Sequence, residues 1–233
     1  QLVRTGMLRT FGERLRGVAG LYYLDAHAAG KFDTIVGLLN LTIATSGFVD
    51  TTSYAAYADF SWDFTDKLSA SLGGRYTSDE KEGGVYRQNF TGLYSPQFGN
   101  NAAVPGLVRS DYTNDRTFDQ FTPRASISYE FTDTFTTYAS YSEGFKSGGF
   151  DMRGDVVLTP DTVNGYDPET VQSYEIGTKG TLFDDRLSYN FAAFYADYSD
   201  QQITRQQPTV TGSIASFVDN AGADVVLGMF PLA

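Results

Sequence analysis

The sequence predicts an all-β fold, an antiparallel transmembrane β-barrel of which only part is present. Three observations predict it: short segments in which apolar and polar residues alternate, a turn of one design that recurs between them, and long connections at the opposite ends. Aromatic residues reach 15% while charged residues are only 19%. No apolar run approaches the roughly 20 residues that a membrane-spanning helix needs, whereas a spanning strand needs only alternate apolar positions.

The alternation predicts the strands. In one segment Ala125, Ile127 and Tyr129 alternate with Ser126 and Ser128. Similar patterns occupy 68–76, 174–182 and, less cleanly, 187–195. About nine strands follow, each near the 9–11 residues of a tilted spanning strand, at residues 1–10, 14–25, 54–64, 67–77, 117–131, 134–145, 171–183, 186–198 and 213–230. Bacterial single-chain barrels have even strand numbers, so nine strands indicate a truncated barrel.

A recurring turn separates pairs of these strands. A Phe closes each strand and small or acidic residues follow, as in Phe64-Thr65-Asp66-Lys67, Phe131-Thr132-Asp133-Thr134, Phe183-Asp184-Asp185-Arg186 and, more loosely, Phe11-Gly12-Glu13-Arg14. Asp favours such turns because its carboxylate can accept hydrogen bonds from nearby backbone N–H groups. The connections at the opposite ends are long, at 26–53, 78–116 and 146–169.

This asymmetry predicts an orientation. Long structureless loops are uncommon in compact soluble domains, while outer-membrane barrels combine short periplasmic turns with long extracellular loops. The repeated Phe then lies where an interfacial aromatic girdle belongs. We therefore expect the tight turns on the periplasmic side and the long connections outside.

Composition argues against several functions. The net charge of −11 does not suit a nucleic-acid-binding surface, which is normally basic. The absence of cysteine leaves no disulfide or thiolate metal site. His27 is the single histidine, so a metal site or a Ser/His/Asp triad would depend on it, and no nucleophile elbow accompanies it. We expect His27 to be a loop residue without a role, and the sequence predicts neither an enzyme nor a cofactor.

Three further features have structural interpretations. Asp79, Glu80 and Glu82 could bind Ca²⁺, but their spacing matches no calcium loop, which favours a solvated loop. The segment 146–149 lacks the spacing of a phosphate-binding loop and is interpreted as a strand end entering a loop. Glu175 and Lys179 share one parity of their strand, which predicts a position on the luminal face.

Short motifs accompany the strands in a consistent order. They are Phe121-Thr122-Pro123-Arg124, Tyr129-Glu130-Phe131-Thr132-Asp133, the run YASYSEGFKSGGF at 138–150, Asp167-Pro168-Glu169-Thr170-Val171, Ser173-Tyr174-Glu175-Ile176-Gly177-Thr178-Lys179, Phe194-Tyr195-Ala196-Asp197-Tyr198 and Asn220-Ala221-Gly222. Together they resemble the barrel domain of TonB-dependent outer-membrane receptors of the ferric-siderophore type. The runs VAGLYY at 18–23 and GGRYT at 73–77 fit earlier strands of the same family.

The resemblance implies a 22-stranded barrel in the bacterial outer membrane. In this family an N-terminal plug is expected to fill the lumen, a short N-terminal peptide to engage TonB, and extracellular loops to capture a scarce ligand such as a ferric siderophore. We expect residues 1–233 to be part of such a barrel domain, without plug or TonB-engaging peptide, and therefore inactive alone. A passive porin or structural barrel, and a soluble β-sandwich binding module, remain as alternatives.

The candidate ligand contacts lie in the longest expected loop. They are Tyr86, Arg87, Phe90, Tyr94 and Arg109. Arginine and aromatic side chains suit anionic or aromatic siderophore groups, through charge-assisted hydrogen bonds and stacking. The same side chains could equally pack against one another.

Overall fold

The computed structural model describes residues 2–8, 14–95, 97, 104–208 and 214–232, which form one antiparallel sheet of nine strands. Each strand pairs with the next along the chain. The strands are β1 (Leu2–Leu8), β2 (Leu15–Val36), β3 (Leu41–Asp63), β4 (Leu68–Thr91), β5 (Val104–Thr132), β6 (Phe135–Lys146), β7 (Glu169–Leu182), β8 (Leu187–Pro208) and β9 (Ile214–Leu232). The predicted strand number and order are confirmed.

Two 3-10 helices lie wholly within the described ranges, at Gly37–Leu39 and Pro160–Asn164. Within the described ranges, neither helix nor any other is long and apolar enough to cross a membrane.

Side-chain alternation gives the sheet two chemically different faces. We call the outer face the one that carries Leu72, Ile127 and Ile176, all of which are exposed. The inner face carries polar side chains, which bond to one another across the strands. Its pairs are Arg16 with Asp63 (3.0 Å), Arg124 with Asp59 (2.5 Å), Ser69 with Ser128 (2.7 Å), Ser71 with Ser126 (2.7 Å) and Tyr138 with Glu175 (2.7 Å). An apolar outside and a polar inside are the arrangement of a membrane barrel wall.

Two rows of aromatic side chains border the apolar part of the outer face. The row near the tight turns contains Trp62 and Phe64, whose rings stack 4.9 Å apart, and Phe131, which contacts Tyr129 and Phe135. The opposite row contains Tyr23, Tyr54, Tyr76, Phe121, Tyr141, Tyr174 and Tyr195. From Tyr54 to Trp62 the strand runs roughly 26 Å, which a tilt of about 40° reduces to a height of roughly 20 Å, most of an apolar band about 25 Å tall.

The outer face becomes acidic beyond the second row. Asp50, Glu82 and Asp115 lie opposite one another on three neighbouring strands. Carboxylates do not face hydrocarbon without a large desolvation cost. The aromatic row therefore marks the end of the lipid-facing band.

The tight turns lie where the sequence predicts them. In the first, the Thr65 hydroxyl accepts hydrogen bonds from the backbone N–H groups of Lys67 (3.2 Å) and Leu68 (2.9 Å). The predicted role of the Asp carboxylate is therefore taken by threonine in this turn. In the turn after β7, Phe183, Asp184 and Asp185 all adopt positive φ, between 54° and 63°. In the looser copy, 11–13 lie outside the described residues.

The prediction of long loops is wrong for two of the three connections. Residues 26–53 and most of 78–116 continue β2, β3, β4 and β5, which are 22 to 29 residues long rather than 9–11. The β2–β3 connection shrinks to Gly37–Asn40, with Asn40 in the left-handed region. The extended strands form hydrogen bonds between their backbone N–H and C=O groups. In a loop, these groups would need other hydrogen-bond partners. The third connection, 147–168, is a true loop and is called the β6–β7 loop below.

The two faces predict opposite responses to an added charge. Leu72 is 67% exposed at the middle of the apolar band, so Leu72→Arg should destabilise the protein by about 2–4 kcal/mol in a bilayer. Ser140→Arg, on the inner face opposite Glu175, should change stability by less than about 1 kcal/mol. Urea titration of the protein folded in lipid vesicles measures both. Equal effects of the two changes would contradict the assignment of the faces.

Candidate functional site at the loop end of the sheet

The β6–β7 loop lies against the inner face of the extended β4 and β5. Lys81 Nζ donates a hydrogen bond to the carbonyl of Gly148 (2.6 Å), and Asn114 Nδ2 donates to that of Val163 (2.7 Å). Arg116 reaches the loop's far end, where its Nη2 lies 2.6 Å from Asp167 Oδ1. Burial under the loop lowers the pKa of Lys81 from its usual value, with Asp79 opposing that shift. Side chains of the sheet thus hold the loop by its backbone.

Glycines in the sheet, which have no side chain, make room for the loop. Phe150 is buried, and a Cβ on Gly83 would lie 2.5 Å from its ring. Met152 contacts the sheet at Gly47, where an added Cβ would approach the Met methyl to 3.1 Å. Buried Val85 and Phe118 complete this packing. The apolar core of the described chain therefore includes a cluster under the loop, apart from the lipid-facing band.

Two arginines of the sheet converge on one carboxylate of the loop. Arg109 Nε lies 2.5 Å from Asp155 Oδ2, and Arg87 Nε lies 3.8 Å from the same oxygen. The three side chains are only 16% (Arg87), 14% (Arg109) and 9% (Asp155) exposed. Burial lowers the pKa of Arg87, and the neighbouring charge of Arg109 adds to that shift while Asp155 opposes it. This arginine–aspartate cluster is the most buried ion-pair site among the described residues.

A β-bulge in β5 positions Arg109. Arg87 pairs with Ser110, and the next residue of β4, Gln88, pairs with Val108, so Arg109 is an extra residue. Bulges of this kind redirect a side chain from its regular alternation. As a result two successive residues face the loop: Arg109 contacts Asp155, while Ser110 donates to the Gly154 carbonyl (2.7 Å) and accepts from the Val156 N–H (3.0 Å).

A second ion pair lies within the loop itself. Arg153 binds Asp151 through both Nε (3.0 Å) and Nη2 (3.1 Å), and these bonds raise the pKa of Arg153. Asp151 also accepts a hydrogen bond from the backbone N–H of Val218 in β9 (2.8 Å). The loop is thereby connected to the far side of the sheet as well as to β4 and β5.

The structure divides the five predicted ligand contacts. Arg87 and Arg109 come together on the inner face, as described above. Tyr86 and Phe90 have the opposite parity of β4 and lie on the outer face, where the Tyr86 hydroxyl donates to Gln88 Oε1 (2.9 Å). Tyr94 follows the end of β4 and is exposed. Four of the five lie on strands rather than in the loop that we expected, and their contact with a ligand stays a prediction.

Other predicted features are also on strands. His27 belongs to β2 rather than a loop, and its Nδ1 lies 2.5 Å from Asp50 Oδ1 on the exposed outer face. Asp79, Glu80 and Glu82 belong to β4, whose alternation directs Asp79 to the face opposite the other two. Across the described ranges no group of three or more His, Cys, Asp or Glu could hold a metal ion.

The luminal position predicted for Glu175 agrees with its inner-face bond from Tyr138. Sequence reasoning missed Asp155 and Asp151, because nothing distinguishes these two from the other acidic residues of a Gly- and Asp-rich loop. Only the bulge and the fold of the loop bring Asp155 to arginines 46 and 68 residues earlier in the chain.

Comparison with known proteins establishes the class. The profile of the family "TonB dependent receptor-like, beta-barrel" matches residues 3–229, so this chain belongs to that family of Gram-negative outer-membrane proteins. It is 24% identical over 161 residues to the pesticin receptor of Yersinia pestis, covering 69% of this chain and 21% of the receptor. It is 28% identical over 152 residues to the ferric-pyoverdine BN7/BN8 receptor of Pseudomonas putida, covering 63% and 15%.

Solved structures share the fold. The ferric yersiniabactin uptake receptor of Yersinia pestis superposes with a TM-score of 0.72 at 18% identity, over 97% of this chain and 30% of that one. The Serratia marcescens hemophore receptor, a double mutant bound to its hemophore and heme, gives 0.52 at 12% identity, over 92% and 39%. The chain thus spans between about a seventh and a fifth of the two curated relatives above, and well under half of either solved receptor.

The close approach at Gly83 makes the seating of the loop testable. Gly83→Ala places a methyl group against Phe150 and should weaken loop docking by about 1–3 kcal/mol. Trypsin cleavage after Arg153 should then accelerate roughly tenfold for each 1.4 kcal/mol lost. Gly37→Ala is the matched control, because a Cβ there meets nothing within 4 Å. Unchanged cleavage in Gly83→Ala would show that the loop does not pack on β4 as described.

Proposed function

We propose that this chain forms part of the barrel of a receptor for TonB-dependent uptake of a ferric siderophore or a similarly scarce ligand. The observation that carries the proposal is the family match over residues 3–229. Two relatives that it resembles are named as receptors for ferric pyoverdine and for pesticin. Because these relatives are receptors, transport rather than catalysis is the activity proposed.

The distribution of polar groups supports passage along the inner face. Charged and hydroxyl side chains occupy the inner face from the tight turns to the β6–β7 loop, and Arg16, Arg75, Arg124, Arg87 and Arg109 all belong to it. Such a surface can hold water and charged solutes, while the apolar outer face contacts lipid. The proposed complete receptor closes this wall with further strands around a plug, and its N-terminal region engages the TonB complex.

Arg87 and Arg109 are the proposed ligand contacts best supported by position. They lie on the inner face at the loop end, the side from which an extracellular ligand arrives in the predicted orientation. Guanidinium groups bind anionic oxygens through short, charge-assisted hydrogen bonds. Tyr86 and Phe90 lie on the opposite face, so a ligand held between the arginines would not reach them.

Uptake of radioactive iron tests the proposal. A strain that lacks this gene should lose accumulation of at least one ⁵⁵Fe-labelled siderophore under iron limitation, and a TonB-deficient strain should lose the same uptake. Complementation with the intact gene should restore uptake in the strain that lacks the gene but not in the TonB-deficient strain. Uptake that persists without TonB would indicate a passive pore and contradict the proposal.

A further inference from the structure

The arginine–aspartate cluster has more positive than negative charge. Arg87 and Arg109 share the single carboxylate of Asp155, since Asp151 is occupied by Arg153. Arg87 Nη1 donates to the Arg153 carbonyl (2.6 Å), but its Nε is buried and has no hydrogen-bond partner. A buried donor without a partner, next to a second cation, costs free energy that an additional anionic oxygen would recover.

We propose that Arg87 and Arg109 form a binding site for an anionic oxygen group of the transported ligand, and that Asp155 occupies this site until the ligand displaces it. The inference rests on the proposed function and adds to it the chemistry of the ligand and the role of the loop. The ligand class is a ferric chelate that carries carboxylate or other anionic oxygens at its surface. A group with two such oxygens can bond both guanidinium groups, which the single oxygen Asp155 Oδ2 does only unequally.

The attachments of the loop allow such an exchange. Apart from the cluster, the attachments of the β6–β7 loop to β4 and β5 include the hydrogen bonds from Lys81 and Asn114, two hydrogen bonds at Ser110, the ion pair of Arg116 with Asp167 and the packing of Phe150. The isolated bridge between Gly149 and Tyr166 lies within the loop and does not join it to β4 or β5. Exposure of Arg87 and Arg109 therefore needs a local movement in which Asp155 leaves the arginines and Ser110 loses its bonds to Gly154 and Val156.

Removing the competing carboxylate should strengthen binding. If Asp155 occupies the arginines about nine-tenths of the time, it raises the apparent Kd about tenfold. Asp155→Asn in the full-length gene product should then lower the Kd for the transported ⁵⁵Fe chelate by up to about tenfold in outer-membrane vesicles. Asp59→Asn is the matched control, because it removes the carboxylate from an ion pair of the same 2.5 Å length, with Arg124, lower on the inner face. Its Kd should equal that of the wild type.

A second variant distinguishes displacement of Asp155 by the ligand from a general weakening of the loop's attachment. Asp151→Asn weakens the loop's attachment to Arg153 and Val218 but frees neither Arg87 nor Arg109. The proposal expects little gain in affinity from it. A gain equal to that of Asp155→Asn would show that a looser loop, rather than an exposed anion site, improves binding, and would overturn the proposal.

A reversible lock tests whether the loop must move. A Cβ at Gly83 would lie 2.8 Å from the Cβ of Phe150, so a shift of about 1 Å gives disulfide geometry in Gly83→Cys with Phe150→Cys. This chain has no cysteine of its own. The oxidised double variant should bind and import the chelate at least about tenfold less well than the same protein after reduction. The control pair, Ser71→Cys with Ser126→Cys, joins β4 to β5 away from the loop and should show no redox effect.

The outcomes distinguish failure of the proposed function from failure of the inference about Asp155. If the wild type takes up no ferric chelate, the proposed function fails. If it takes up a chelate but the oxidised lock or Asp155→Asn has no effect, or if the transported chelates carry no anionic surface group, the proposed function stands and this inference is overturned.

Discussion

Backbone hydrogen bonding is the constraint on which the rest of this structure depends. In hydrocarbon there is no water to pair with N–H and C=O groups, so a chain that spans a membrane as strands must pair these groups between strands. The nine strands do this through antiparallel ladders from β1 to β9. Alternation then follows, because successive side chains of a strand point to opposite faces. The outer face can therefore be apolar while the inner face pairs Asp59 with Arg124 and Tyr138 with Glu175.

The same ladder continues past the membrane band and creates the site. Beyond the second aromatic row, β4 continues to its end at Thr91, and β5 begins at Val104. The inner face of these extensions contacts the β6–β7 loop. A buried ion pair is weak evidence for stability, since desolvation offsets much of the attraction. Here two buried guanidinium groups share the one carboxylate of Asp155, so one positive charge has no carboxylate of its own. This excess of positive charge is the reason for the proposal that an anion binds there.

The sequence predicts the lower part of the barrel wall better than the strand extensions at its loop end. Lipid contacts one face of residues 68–76 and a polar surface lies on the other, so apolar and polar residues must alternate there. Above the aromatic row neither face contacts lipid, and the alternation that identifies a strand disappears from residues such as 41–53 and 78–91. Because the alternation is absent there, the sequence predicts loops where the structure has strand extensions. Strand number, order and turn positions needed only the membrane-facing pattern and were correct.

The candidate site was only partly accessible to sequence reasoning. Arg87 and Arg109 were chosen for their chemistry, but a strand assignment was needed to separate them from Tyr86 and Phe90. The bulge at Arg109 leaves no distinct signal in the sequence, because it depends on the register between two strands. Asp155 reaches the arginines only through the fold of a loop that no local pattern specifies.

The two chemically different faces make this chain a membrane barrel wall, with one face toward lipid and one polar face. Spin labels on single cysteines at residues 68–77 of the full-length gene product in lipid vesicles test it most directly. We expect accessibility to lipid-soluble oxygen to vary with a period of two, with maxima at the positions of Ala70, Leu72 and Gly74 and minima at those of Ser69, Ser71 and Gly73. Equal accessibility of both sets to a water-soluble nickel reagent would contradict the account.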